Sequence, residues 1–243
     1  MRTFGLVGFP LTHSFSQKYF SEKFVYAGIT DAEYKNFSIP SINHMIEVMN
    51  QHPNLCGFNI TIPYKKQIIE FLHTATPAVQ QMGACNCVLI KNKIISGYNT
   101  DIVGFKQSLL PYLKPHHTKA LVLGTGGAAA AVEYVLNELN ILYQFVSRTP
   151  KEKQLNYTQL TPAIIKENTL IINTSPVGQY PNIADAPAIP YEYLGPDHHL
   201  FDLIYNPSQT TFLKYGQKYG STFQNGYEML VLQAEESWRI WNS

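Results

Sequence analysis

The 243-residue chain is poor in charge and in cysteine, and it lacks any long apolar run. Lys and Arg number 18 against 17 Asp and Glu, a net charge of +1, and charged residues make up only 14% of the chain. With no block of one sign, this balance excludes a protein held to nucleic acid or to a membrane surface by bulk charge. A small anionic ligand needs only a local pocket and stays open. No stretch approaches the ~20 apolar residues of a membrane-crossing helix. Met1 to Gly8 runs straight into a strand-like segment rather than a leader, so a cytoplasmic protein is expected. The three cysteines, Cys56, Cys85 and Cys87, lack the second Cys/His cluster that would complete a zinc set. Cys85 and Cys87 point the same way on a strand and could pair, but reduced thiols and no metal are the expectation.

What is present is ample core material, 45% hydrophobic residues, arranged so that strand-like and helix-like stretches alternate. In the first part, strands are expected at Phe4–Gly8, Glu33–Ile39 and Gly57–Ile60, with a hairpin of Cys87–Lys91 and Ile94–Tyr98 about Asn92-Lys93. Helices are expected at Gln17–Ala27, Ile42–Asn50, Lys65–Leu72, Pro77–Met82 and Asp101–Lys114. In the second part, strands are expected at Ala120–Leu123, Tyr143–Ser147, Leu170–Asn173 and Leu200–Leu203, with helices at Ala128–Leu139, Thr210–Tyr219 and Tyr227–Trp241. Pro176–Pro196 reads as loop. Alternation of this kind implies an α/β protein with parallel strands and crossover helices. A seam near Asp101 fits, because a fresh nucleotide-type unit begins about twenty residues later.

That unit is Ala120-Leu-Val-Leu123 followed by Gly124-Thr-Gly126-Gly127-Ala128-Ala129 and an alanine-rich helix. The order is strand, G-x-G-x-x-A, helix. Gly124 permits the tight turn, Gly126 lets a pyrophosphate approach the backbone, and Ala129 lets helix pack on strand. The helix N-terminus then presents free N–H groups and positive dipole to the phosphates. The next strand discriminates between cofactors. An NAD reader carries Asp or Glu at its tip for the ribose 2′-hydroxyl, whereas Tyr143–Val146 runs into Ser147-Arg148-Thr149. Arg148, with Lys151 and Lys153 following, suits a 2′-phosphate, so NADP is the expected cofactor. As plain surface charge the three would mean nothing, and for the two lysines that reading is equally good.

Motifs outside this unit are individually weak. Ser14 and Ser16 alone read as caps of the first helix, and Asp101 as an N-cap. Taken in order, though, seven motifs resemble the shikimate dehydrogenase family over nearly the whole chain. They are Gly8-Phe-Pro10 with His13-Ser14-Phe-Ser16; Asn59-Ile-Thr61-Ile-Pro63-Tyr-Lys65; Gly97-Tyr-Asn99-Thr100-Asp101; the loop at Gly124–Ala128; Asn173-Thr174-Ser-Pro-Val-Gly178; Asp202-Leu-Ile-Tyr205-Asn-Pro207; and Asn225-Gly226-Tyr-Glu-Met229-Leu-Val-Leu-Gln233. The resemblance implies a two-domain α/β enzyme. Residues 1–101 with 226–243 would be the substrate-binding domain, and residues 102–225 a Rossmann-like NADP domain, with the active cleft between. It implies Lys65 and Asp101 as the catalytic pair. Ser14, Ser16, Thr61, Asn86, Tyr205 and Gln233 would bind substrate, while Gly124, Gly126, Gly127, Ala128, Arg148, Thr174, Gly226 and Met229 would line the cofactor.

The chain departs from the family pattern at Gln17 for proline, Cys85 and Cys87 for valine and threonine, Ile102 for glycine and Ser147 for asparagine. The expected reaction is reversible NADPH-dependent reduction of 3-dehydroshikimate to shikimate, a small-molecule substrate. The rivals are a quinate/shikimate dehydrogenase of broader specificity and a non-catalytic nucleotide-binding sensor of the same fold. A sensor should have lost Lys65 or Asp101, and both are present. Nothing in the sequence fixes the oligomeric state, and a homodimer is compatible with it.

Overall fold

A computed structural model describes residues 1–11 and 14–243. It divides into two compact units, Met1–Thr100 with Ala234–Ser243 and Asp101–Gln233. The sequence placed the return to the first unit at residue 226. The compact unit resumes at Ala234, within the last helix.

In the first unit, β1 (Arg2–Gly8) leads to α1 (Phe15–Tyr26), then β2 (Ala32–Ser38), a 3-10 turn at Ile42–His44 and α2 (Met45–Gln51). Next come β3 (Leu55–Ile60), a 3-10 helix at Gln67–Phe71, β4 (Thr74–Ala75) and α3 (Pro77–Met82). The hairpin β5 (Cys87–Lys91) and β6 (Ile94–Tyr98) closes the series. The strands form one sheet in the order β2-β1-β3-β5-β6-β4. β1 pairs in parallel with β2 and β3, and β5 is antiparallel to both β3 and β6. Asn92 and Lys93 turn the hairpin with φ of 53° and 65°, as a two-residue loop of matching twist requires.

β1 is buried at six of its seven positions, so both faces of the sheet are covered. On one face Val7, Phe58 and Ile60 pack with Ile42, Met45, Val48 and Ile68. On the other, Phe4, Leu6 and Tyr34 pack with Phe20 and Phe24 of α1 and with Ile240 and Trp241. Trp241 lies against Gly57, where a Cβ would collide with the indole, and its Nε1 donates to the Val88 carbonyl at 2.9 Å.

The segment after Lys65 differs from the expected α-helix. The Lys65 carbonyl accepts from Cys85 N at 2.8 Å, so the bond that would open an α-helix ties down a distant loop instead. Only a short 3-10 stretch follows.

The second unit starts with α4 (Asp101–Leu109), which tightens into a 3-10 turn at Leu110–Tyr112, where Pro111 follows. Then come β7 (Lys119–Leu123), α5 (Gly127–Glu138), β8 (Leu142–Val146), α6 (Pro162–Glu167), β9 (Leu170–Asn173), β10 (His199–Asp202), α7 (Thr211–Lys218) and β11 (Thr222–Gln224). The long helix α8 (Tyr227–Trp241) begins here. All strands of this sheet are parallel, in the order β11-β10-β9-β7-β8. Leu121, Leu123, Ile171 and Leu200 face α6 and α7, packing with Ile165, Phe212 and Leu213. On α5, Ala129, Ala131, Val132, Val135 and Leu136 are buried. Phe105 of α4 stacks on Phe201 of β10 with centroids 5.2 Å apart.

α6, β4 and β11 were not expected from the sequence. Each is too short to show a period, although Thr161 caps α6 and Pro162 opens it.

Candidate active site

The order of the parallel sheet fixes where a ligand can sit. Successive connections run to opposite sides of β7, so its C-terminal end and that of β9 face an open crevice at a topological switch point. A cavity of about 400 Å³ occupies that place, lined by Gly124, Thr125 and Gly126 after β7, Ser147 to Thr149 after β8, and Thr174 to Val177 after β9.

Gly124 has a φ of +107°, and a Cβ there would press Thr174 Oγ1 at 3.0 Å and Ser175 Cβ at 3.2 Å. Both the backbone angle and the space call for glycine. Gly126 is the N-cap of α5, with no side chain capping it. Neither Gly126 nor Gly127 has a heavy atom within 4 Å of its Cβ direction. Ala128 follows in the first turn. The helix therefore opens onto the crevice with its N-terminal amides uncovered, an arrangement suited to a phosphate.

Arg148 is exposed at the tip of β8 and lines the crevice. Asn156 Nδ2 holds its carbonyl at 3.3 Å, and Ser147 Oγ accepts from Thr149 N at 3.3 Å. Tyr157 lines the same crevice. Burial raises its hydroxyl above the usual tyrosine value, and the Arg148 charge opposes that shift. Tyr157 was not foreseen: it lies in a 3-10 turn nine residues past Arg148 and has no motif of its own.

Thr174 is anchored by its Oγ1, which donates to the Leu123 carbonyl at 3.0 Å. Beneath it runs a polar network that the sequence also did not reveal. Ser175 Oγ donates to Asn173 Oδ1 at 2.7 Å, and Asn173 Nδ2 donates to Asp202 Oδ1 at 3.0 Å. Thr210 Oγ1 donates to Asp202 Oδ2 at 2.5 Å. Burial pushes Asp202 up to about 6, against the pull of the Thr210, Ile204 N–H and Asn173 bonds. Gly226 N donates to the Ile204 carbonyl at 3.0 Å, and a side chain at Gly226 would collide with Leu203. Met229 and Gln233 are buried along α8, Gln233 Nε2 donating to the Leu230 carbonyl at 2.9 Å. Tyr205 is partly exposed.

In the first unit, the parallel strands β1 and β3 end together, Phe9 N donating to the Ile62 carbonyl at 3.2 Å. Their exits carry Ser14 and Ser16 on one side and Thr61 and Lys65 on the other. Ser14 is the N-cap of α1, its Oγ accepting from Gln17 N at 3.1 Å. Ser16 bonds the buried Tyr34 hydroxyl. His13, part of the first motif, lies outside the described residues. Asn86 is buried beside the same strand ends: its carbonyl accepts from Ile60 N at 2.8 Å, and its Oδ1 accepts from Thr100 N at 2.6 Å. Asp101 follows Thr100 directly and is buried as the first residue of α4.

Cys85 and Cys87, flanking Asn86, are free and buried, and burial pushes the Cys87 thiol well up. Among the described residues, no group of three or more His, Cys, Asp or Glu is placed to hold a metal ion, and no helix is long and apolar enough to cross a membrane. The structure thus gathers Gly124, Gly126, Arg148 and Thr174 on one crevice of the second unit. It places Ser14, Ser16, Thr61, Lys65 and Asn86 at the strand ends of the first.

A mixed α/β sheet, joined in one chain to a parallel sheet with a glycine loop at its switch point, defines a two-unit α/β protein of the nucleotide-dependent dehydrogenase class. The chain belongs to the shikimate dehydrogenase family. Residues 6–88 match the shikimate dehydrogenase substrate binding domain. The shikimate dehydrogenase (NADP(+)) of Caldicellulosiruptor saccharolyticus is 35% identical over 99% of this chain and 92% of its own length. A chorismate mutase/shikimate 5-dehydrogenase fusion protein from Clostridium acetobutylicum superposes with a TM-score of 0.88 at 32% identity, over 100% of this chain and 91% of that one. The Thermus thermophilus shikimate 5-dehydrogenase, solved with NADP(H) and shikimate, gives 0.84 at 27% identity, over 99% and 93%.

Proposed function

We propose that this protein is an NADP-dependent shikimate dehydrogenase, reducing the ketone of 3-dehydroshikimate to the alcohol of shikimate and reversing the reaction. The observation that carries the reading is the β8 tip, which has an arginine and no acid beside an uncapped helix N-terminus. It occurs in a chain whose relatives are named for this activity with NADP(+) along almost their full length.

The second unit is the cofactor domain in this reading, and its residues fit a dinucleotide. The space beyond Gly126 and Gly127 is open where a pyrophosphate would lie. The amides of α5 can hold phosphate oxygens, and the Arg148 guanidinium can grip a 2′-phosphate. Thr174, Gly226 and Met229 are assigned to the nicotinamide side. The bound nucleotide supplies the hydride.

The chain's own residues do the rest. Ser14 keeps its hydroxyl proton available while its oxygen caps α1, so it can donate to a carboxylate. Ser16 is assigned to the same carboxylate, and Thr61, Asn86, Tyr205 and Gln233 to the other substrate oxygens. The Lys65 ammonium stabilises negative charge developing on the ketone oxygen and returns a proton to it. Asp101, an acceptor when ionised, orients that ammonium and bonds the product hydroxyl. The first unit is the substrate domain, and the enzyme works in the cytoplasm, where its thiols stay reduced.

The test is NADPH oxidation with 3-dehydroshikimate, run beside NADH and beside quinate with NAD. Turnover with NADPH, and weak turnover with NADH, supports the reading. Efficient quinate oxidation with NAD would replace it with the broader enzyme, and nucleotide binding without turnover would leave a sensor.

A further inference from the structure

Helix α8 buries a polar residue in the middle of its packing stripe. Met229, Gln233, Ser237 and then Ile240 and Trp241 recur at helical spacing and are all buried. Ser237 has no accessible surface at all, and a hydroxyl there is tolerated only if its bonds are made.

They are made on three sides. Asn59 Nδ2 donates to Ser237 Oγ at 2.8 Å, Thr100 Oγ1 lies 3.2 Å away, and the Cys87 thiol bonds the same hydroxyl. A hydroxyl has one proton and two lone pairs. Ser237 Oγ accepts from Asn59, and between Ser237 and Thr100 either hydroxyl can donate.

Two arms leave this node. On one, Thr100 Oγ1 accepts from Asn86 Nδ2 at 3.1 Å while Thr100 N donates to Asn86 Oδ1 at 2.6 Å. The Asn86 amide is therefore held at both ends and cannot flip. On the other, Asn59 Oδ1 accepts from the Tyr34 hydroxyl at 3.0 Å, and that hydroxyl bonds Ser16. Asn59 and Asn86 are tied again where Asn59 Nδ2 meets the Asn86 carbonyl at 3.3 Å.

The two ends of the network, Ser16 and Asn86, are residues assigned above to the substrate. We propose that Ser237 is a positioning residue for substrate binding, fixing the donor and acceptor faces of Asn86 through Thr100 and the Ser16 hydroxyl through Asn59 and Tyr34. The inference rests on the shikimate dehydrogenase reading. Without the Ser237 hydroxyl, Asn59 Nδ2 and Thr100 Oγ1 each lose a partner in a buried setting, and the Thr100 hydroxyl that holds one end of the Asn86 amide is less firmly anchored.

The test is steady-state kinetics of the full chain carrying Ser237→Ala, Ser237→Thr or Tyr34→Phe. Ser237→Ala is expected to raise KM for shikimate about tenfold, the scale of one misplaced hydrogen bond. It should change kcat by less than about threefold and leave KM for NADP(+) unchanged, since the network touches only the substrate side. Ser237→Thr keeps the hydroxyl and should restore most of the loss. Tyr34→Phe cuts the other arm and should raise KM by itself, and the double variant should fall short of the product of the two effects because both act through one network.

Ser237→Ala with wild-type KM would overturn the proposal. So would a lower melting temperature with KM unmoved, or a threonine variant no better than alanine. Should Ser237→Ala not fold, Tyr34→Phe decides: unchanged KM there also overturns the proposal. A wild-type protein that does not turn over shikimate at all would remove the functional reading first and this inference with it.

Discussion

At Lys65 the backbone and the side chain have separate duties. The carbonyl accepts from Cys85 N and braces the loop that precedes Asn86, while the side chain is only half-buried. Truncating the side chain keeps the brace, so Lys65→Ala should fold. It should lower kcat by roughly 10² to 10⁴, the usual loss on removing a general acid, and alter KM for shikimate much less. Asp101→Ala should fall in the same range, and the double variant should lose far less than the product, as groups serving one proton transfer do. Near-native kcat in a Lys65→Ala protein that binds NADPH normally would remove Lys65 from the mechanism.

Arg148 gives the matching test on the cofactor. Arg148→Asp should weaken NADPH far more than NADH, because it removes a charge partner of the 2′-phosphate and adds repulsion. Equal losses in titrations of the two nucleotides would acquit Arg148. Both residues could be proposed from the sequence because each belongs to a local motif. Tyr157 was not, since it carries no motif of its own, and neither were Tyr34 and Ser237, whose partners lie far along the chain and are brought together only by the folded backbone.

Among the elements, α1 shows how one residue can hold two readings at once. Ser14 is the N-cap that the pattern predicted, and the same hydroxyl is proposed for the substrate carboxylate. Ser14→Ala loses both, so KM should rise while stability falls by about 0.5–2 kcal/mol. Ser14→Asp separates them. Aspartate is as good a cap, so the melting temperature should stay near wild type, yet its charge repels a carboxylate and KM should rise further than with alanine. Wild-type KM in the aspartate variant would leave Ser14 as a cap alone.

Elements with strong periods or caps, such as α8 and the β5–β6 hairpin, fell where the sequence put them. The strand order did not follow from the sequence, because local pattern carries no information on which strands become neighbours. The Lys65 segment misled for a related reason: its helical composition yielded to a single long-range bond from Cys85.

For the molecule as a whole, two buried groups of the second unit oppose each other as pH falls. His199 has no exposed surface and is stacked on Tyr112 at 4.9 Å. Its Nδ1 lies 2.9 Å from Thr222 Oγ1, whose own proton goes to the His198 carbonyl at 3.2 Å. His199 is therefore neutral with its proton on Nδ1, and burial first, then the nearby His117 and Lys114 charges, holds it down at about 3. The unfolded chain takes up a proton near 6.5 that the folded chain refuses. Between about 6.5 and 3 this group removes stability as pH drops, by about 1.4 kcal/mol per unit once below the unfolded value.

Asp202 works the other way. It is raised to about 6 from 3.8, so between these values the folded chain binds a proton that the unfolded chain does not, and acidification adds stability. The slopes of these two groups offset each other from about pH 6 to 4. Asp202→Asn retains an oxygen for Asn173 and Ile204 but removes the titration, leaving His199 unopposed. The variant's urea midpoint, measured from pH 7.5 to 4, should therefore fall more steeply than wild type below pH 6. His199→Phe should show the reverse, a midpoint that falls less steeply than wild type from pH 6 to 4. Parallel profiles for wild type and Asp202→Asn would mean that Asp202 is ionised in the fold throughout, and that Thr210 and Asn173 outweigh its burial.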